Sequence, residues 1–143
     1  MKIYHFCSAK HVRPILKQGI RTGGVVLLGK DGYDLRVGWQ WLTLDPVREN
    51  QSWATRNLVK YDRTAYRLTV ELTDDSVLYD RDGLEKEIPG SHVLFDGWPG
   101  SENWRVYRGK IPKSWIQTIE HWLGEKWENG QLIAGEWQLM PWR

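Results

Sequence analysis

The chain opens on a strand that runs directly into a helix, and this junction constrains the fold more than any other segment. Ile3 and Tyr4 read as strand, within the stretch Tyr4-His5-Phe6-Cys7-Ser8. Ser8 is a favourable N-cap, and Val12, Ile15 and Leu16 then recur at helical spacing until Gly19 stops the helix. The junction sets a histidine and a small hydroxyl where free backbone N–H groups can meet an anionic ligand. Against that, a histidine inside an aromatic strand is more often a satisfied core residue than a catalyst.

The 143 residues fit one domain, long enough to bury about two thirds of the unfolded surface. Cys7 is the only cysteine, so neither a disulfide framework nor a thiolate zinc cluster can form within one chain. That usage fits a reducing cytosol. There is no apolar signal segment and no apolar run of membrane-spanning length, so a soluble, cytoplasmic protein with no membrane partner is expected. A net charge of +2 and a pI near 8.7 are too mild to argue for nucleic acid by field strength alone.

No repeat, low-complexity segment or long linker divides the chain. Val25-Val26-Leu27-Leu28 reads as a short strand and Gly29 to Gly38 as turn-rich. Trp39-Gln40-Trp41-Leu42-Thr43 alternates like a strand closed by Asp45-Pro46. Asn50 to Lys60 is a possible short helix with Trp53 and Leu58 as apolar contacts. Thr64 to Thr73 carries the clearest alternation, with Tyr66, Leu68, Val70 and Leu72 on one face. Val77-Leu78-Tyr79 is a short strand, and Asp80 to Gly100 reads mostly as loop, its acidic residues Asp80, Asp82, Glu85 and Glu87 solvated rather than arranged for calcium. Trp104 to Tyr107 alternates as a strand. Ser114 to Leu123 reads as a helix with Trp115, Ile116, Ile119 and Leu123 on one face, and Asn129-Gly130 signals a hairpin.

Several chemistries lack their motif. There is no Gly-x-Ser-x-Gly elbow, Walker loop or Gly-x-Gly-x-x-Gly fingerprint, and a Cys7–His5 nucleophile has no evident third group. His11, His92 and His121 have no ligand spacing, so no metal is expected.

The order of the pieces resembles the ADP-ribosyltransferase superfamily, particularly its small bacterial, rifampin-modifying-like and toxin-like members. Tyr4-His5-Phe6-Cys7 matches their first strand end, with cysteine where threonine is usual. Trp39-Gln40-Trp41-Leu42-Thr43 matches their aromatic strand, with tryptophan in the place of the common tyrosine, and Ser101-Glu102-Asn103-Trp104 has the form of the glutamate that leads a late strand. The resemblance implies an α+β domain over 1–143 with a split, mainly antiparallel sheet and flanking helices, in which 113–143 is a tryptophan-rich helix and hairpin extension. It implies NAD as co-substrate, bound in the cleft of the split sheet, and an acceptor for ADP-ribose that is a protein, a nucleic acid or a small molecule.

The resemblance also implies roles. Glu102 would stabilise the developing oxocarbenium charge on the ribose and orient the attacking group, and His5 would hydrogen-bond a ribose hydroxyl. Trp41, or less readily Trp39, would stack on nicotinamide, with Phe6 and Thr43 beside it. Ser8 with its neighbouring N–H groups would lie near the pyrophosphate, for which Arg36 and Arg63 are also available. The loop from Asp80 to Gly100 is the candidate for acceptor recognition.

Each residue has a plainer reading. Glu102 can be a solvated loop carboxylate and Thr43 a β-favouring residue. If Trp39 and Trp41 face the core, Gln40 and Leu42 face outward. Six of the ten tryptophans lie from Trp104 onward, with Lys110, Lys113, Lys126 and Arg143 among them, which also suits a non-catalytic aromatic module that binds or inhibits a protein or nucleic acid.

Overall fold

In the computed structural model, which describes residues 1–55 and 61–142, the opening strand β1 (Lys2–Cys7) lies at the centre of a seven-stranded sheet. It runs into α1 (Ala9–Gln18) through Ser8, whose extended backbone makes it the N-cap. The remaining strands are β2 (Gly24–Gly29), β3 (Gly32–Val37), β4 (Trp39–Thr43), β5 (Tyr66–Glu71), β6 (Leu78–Tyr79), β7 (Trp104–Arg108), β8 (Ile116–Leu123), β9 (Lys126–Glu128), β10 (Gln131–Ile133) and β11 (Glu136–Met140). Two further helices, α2 (Ser52–Thr55) and α3 (Arg81–Glu87), complete a mixed α/β fold whose paired strands run antiparallel.

The main sheet has the order β11-β8-β5-β1-β4-β7-β6. β1 and β5 pair along six positions, from Lys2↔Glu71 to Cys7↔Tyr66, whereas β1 and β4 share only Tyr4↔Thr43. The sheet therefore divides into two well-paired halves that meet at one point. One face packs under α1 through Ile3, Val12, Ile15, Leu68, Val70 and Ile119. The opposite face, on the β4–β7 half, carries Val25, Leu84, Ile88, Phe95, Trp104 and Val106. Both faces are covered, so Gln40 and Leu42 are buried and do not face outward. Gln40 repays its burial by accepting from Gly23 N at 2.8 Å and donating to Gly109 O at 3.1 Å.

Three sequence expectations change. Ser114–Leu123 is not a helix: a 3-10 turn at Lys113–Trp115 leads into strand β8. The register slips between Thr69↔Thr118 and Val70↔Ile116, a bulge that leaves Gln117 unpaired. Ile116 and Ile119, three apart, thereby both reach the core, and the bulge imitates helical spacing. The segment 113–143 accordingly contributes β8 and β11 to the main sheet, with the β9–β10 hairpin turning at Asn129-Gly130. Second, the stretch Gly29 to Gly38 contains β3, paired with β2 so that Val26, Leu28, Tyr33, Leu35 and Val37 share an exposed face.

Third, Asp80 to Gly100 is largely ordered. Asp80 caps α3 by accepting from Gly83 N at 2.8 Å, and Leu84 and Ile88, one turn apart, are fully buried. Glu85 is not merely solvated. Its carboxylate accepts from Gly90 N at 2.9 Å, His92 N at 2.8 Å and His92 Nδ1 at 3.0 Å, and those N–H bonds hold its pKa down to about 2. Of the expected segment Asn50 to Lys60, α2 is helical, while Leu58 lies outside the described residues. No helix among the described residues is long and apolar enough to cross a membrane.

Two outcomes follow for stability. Gly19 closes α1 at φ 78°, with a Cβ there meeting Ile111 O at 2.3 Å, so Gly19→Ala should lower stability by about 1–3 kcal/mol in chemical denaturation. Glu85, depressed on folding, stabilises above its ordinary value of 4.5, and the contribution is lost as pH falls towards 2. The protection factors of the Gly90 and His92 amides, corrected for intrinsic exchange, should therefore fall across that window in the wild type, and be low and independent of pH in Glu85→Gln.

Candidate functional site

The meeting point of the two half-sheets is where side chains replace backbone pairing. Beyond Tyr4↔Thr43 the β1–β4 ladder does not continue. Instead His5 Nδ1 lies 2.9 Å from Trp41 O, a carbonyl that continued pairing would offer to the backbone of β1. A carbonyl only accepts, so Nδ1 carries the proton and Nε2 is left as an acceptor. Burial is the largest influence on the ring and lowers its pKa, the Trp41 carbonyl opposes this, and His11 adds to the lowering. His5 is thus held neutral, in one tautomer.

A cavity of about 380 Å³ opens at this place, within the roughly 300–1,000 Å³ common for small-molecule sites. Tyr4, His5 and Phe6 of β1 and Trp41, Leu42 and Thr43 of β4 form its floor. Gln51, Trp53, Arg63, Val93, Leu94, Trp98 and Trp104 complete the lining. Trp41 is fixed: its indole N–H donates to Gly24 O at 3.1 Å, and its ring lies 5.4 Å from Phe95 and edge-on to Trp104 at 6.3 Å. Phe6 is buried beside Trp137, 6.1 Å between rings. Thr43 Oγ1 accepts from Asp45 N at 3.1 Å, which shapes the turn after β4. Arg63 is the one cationic side chain on the walls among the described residues, stacked over Trp53 and donating to the Trp53 carbonyl.

The cavity thus brings together His5, Phe6, Trp41 and Thr43, and it includes Arg63 as well. It does not include the other candidates. Ser8 is buried at the start of α1, its hydroxyl 2.9 Å from His11 Nδ1. Arg36 lies on exposed β3 and pairs with Asp34 at 3.3 Å. Trp39 packs against Tyr79 and Arg108 instead of lining the cavity. Glu102 is exposed in the 3-10 turn Ser101–Asn103, two residues before the wall residue Trp104, with its own carbonyl bonded by Arg105. No carboxylate lines the cavity among the described residues.

Cys7 offers no nucleophile, because burial pushes its thiol up to about 12. Among the described residues no group of three or more His, Cys, Asp or Glu side chains is arranged to hold a metal. Sequence reasoning missed Gln51, Trp98 and Trp104 as wall residues. Nothing local marks them, since each reaches the cavity through tertiary contact between distant segments.

The chain matches no protein-family model, no curated protein and no solved structure. The site's geometry carries a direct check. A folded pKa lowered below the ordinary 6.5 means that His5 stabilises the fold above that value and loses the contribution as pH falls through its folded pKa. Imidazole ¹⁵N NMR should find the His5 ring in the Nδ1–H tautomer, with a midpoint below 6.5; a midpoint at or above 6.5 would contradict the packing described.

Proposed function

We propose that the cavity binds the nicotinamide riboside half of NAD and that the chain transfers ADP-ribose from it to an acceptor. The observation that carries the reading is the convergence of His5, Phe6, Trp41 and Thr43, distant in sequence, on one aromatic cavity where the two half-sheets meet. This is where the resembling superfamily, whose cleft lies in a split sheet, binds NAD.

In this reading Trp41, pinned by its own N–H, stacks on the nicotinamide ring, and His5 Nε2 accepts from a ribose hydroxyl. Arg63 meets the phosphate next to the ribose, a task for which Arg36 and Ser8 are too remote from the cavity. The bond between ribose C1′ and the ring nitrogen breaks with its electron pair going to nicotinamide, which leaves neutral. The acceptor's lone pair then bonds C1′, and the acceptor gives up a proton. Glu102 is the residue suited to take that proton and to face the cationic ribose, and it must turn from solvent to do so.

That requirement favours one rival. Because Glu102 stands off a cavity whose walls carry no carboxylate among the described residues, a domain that binds the nucleotide without cleaving it is the second reading. Titration with NAD, followed by assay of nicotinamide release, separates the two. Transfer predicts release that falls by about 100-fold or more in Glu102→Gln with binding retained. Binding without release, unchanged by that substitution, supports the second reading. Failure of saturating NAD to bind or shift the melting temperature would refute both and turn attention to the tryptophan-rich C-terminal segment, where Trp127 is exposed.

A further inference from the structure

The hairpin of β2 and β3 is a separate two-stranded sheet, and its two faces are sorted against the usual preference. Cross-strand pairing sets Val26 opposite Leu35 and Leu28 opposite Tyr33, with Val37 next along β3, so these five side chains share one face. All five are exposed, from 44% at Val26 to 80% at Tyr33. On the other face Val25 is fully buried and Leu27 packs with it against the aromatic cluster, followed by the ion pair of Asp34 and Arg36 at 3.3 Å. The strands thus place their charges on the face turned towards the fold and leave the outer face apolar.

The hairpin is tied down at its base. Gly23 O accepts from Gly38 N at 3.1 Å, and Gly24 O accepts from the Trp41 indole N–H at 3.1 Å. Farther out the support thins: β3 pairs with β2 alone among the described residues, all six of its residues are exposed, and Leu28 and Tyr33 are the most exposed of the apolar five. A two-stranded ribbon is marginal in water unless a face of it packs on something.

We propose that this face is the contact of a two-fold dimer, in which the hairpins of two copies of the chain pack face to face. Side chains at these exposures present on the order of 500 Å² from each copy and about 1,000 Å² together, the size that a specific interface has to reach. Charge favours a second copy as well. None of the five carries a charge, so the face meets its own image without setting like charges together, and a charged partner would find nothing on it to pair with. At the tip, Lys30 and Asp31 cancel, so no basic cluster draws the hairpin to an anionic lipid surface. The inference stands apart from the nucleotide reading, because none of these five residues lines the cavity.

Sedimentation velocity of the full chain across the micromolar range should show monomer passing to dimer and no further. Leu28→Glu brings a carboxylate from each copy into the contact and should weaken association by about 100-fold or more, while the exposed position leaves the melting temperature of the dilute monomer unchanged. Trp127→Glu, which alters the smaller exposed pair Trp127 and Leu132 on the β9–β10 hairpin, should leave the dimer intact. In the wild type, a sample mixed from ¹³C-labelled and unlabelled chains should give NOEs between copies among Leu28, Tyr33 and Leu35, a readout that depends on no variant folding. A monomer at every concentration overturns the inference, as does a dimer that survives Leu28→Glu. Dissociation by Trp127→Glu alone, or growth past the dimer, overturns it too, by placing the contact on the other hairpin or on unlike surfaces.

Discussion

The hydrogen bond from His5 Nδ1 to the Trp41 carbonyl is the contact on which the rest of the site depends. Two antiparallel half-sheets that met along a full ladder would leave no room between β1 and β4 for anything but backbone. Here the ladder is reduced to Tyr4↔Thr43, and a carbonyl freed by the parting would be an unpaired buried acceptor. His5 supplies the missing donor at 2.9 Å, which stabilises the opening and fixes its own tautomer in the same act. A serine or valine at this position would leave the carbonyl open. The reading of His5 as a satisfied core residue and its reading as a ligand-facing residue are therefore compatible, because one ring nitrogen serves each.

Covering both faces of the sheet explains how so many aromatic residues fit in a short chain. On the face under α1 the fully buried centre is aliphatic, with Ile3, Leu68, Val70, Ile116 and Ile119 closely packed and the rings of Tyr107 and Trp115 beside them. On the opposite face Trp41, Phe95, Trp98 and Trp104 meet at tilted or edge-on angles with centroids 5.4 to 6.4 Å apart. Rigid rings meeting at such angles leave space between them more readily than flexible aliphatic chains do, and the cavity lies on their side. Farther along, Phe6 and Trp122 both contact Trp137, which Arg67 covers while paired with Glu120 at 2.8 Å. This group belongs to the architecture of the β5–β8–β11 half.

What was legible in the sequence was what local pattern encodes. The strand at Ile3, the cap at Ser8, the stop at Gly19 and the alternation from Tyr66 to Leu72 each follow from residues within a few positions, and the strand Trp39–Thr43 was readable to its ends. Tertiary pairing defeated the reading at β8, where the bulge at Gln117 converts strand spacing into a helix-like three. It also hid α3, whose seven residues offer only Leu84, with Ile88 at the C-cap, as an apolar signature among charged neighbours. The candidate site divides in the same way. His5, Phe6, Trp41 and Thr43 lie on two strands that the sequence delineates, while Trp104 acquires its position by pairing opposite Thr43 in β7, and Gln51 and Trp98 only once the segments between β4 and β7 fold against the sheet.

On the proposed reading, electrostatics sets binding and transfer against each other. A cavity with a neutral histidine, one guanidinium and no carboxylate among its described walls favours an anionic ligand on arrival. Cleavage of a glycosidic bond, as proposed, would make the opposite demand, since positive charge would grow on a sugar held in the same cavity as that guanidinium. A site can meet both only if the guanidinium is held away from the reacting carbon and a carboxylate comes close when the bond breaks. The first condition is met in part, because Arg63 is stacked on Trp53 and tied to the Trp53 carbonyl. The second would fall to Glu102, in a turn whose last residue is anchored by Leu44 N donating to Asn103 O at 2.9 Å but whose Glu102 side chain is exposed. An anchored backbone with an unconstrained side chain lets a carboxylate rotate inward without unfolding its strand, so on the proposed reading the cost of that rotation, rather than the affinity of the aromatic walls, decides between holding a nucleotide and dividing it.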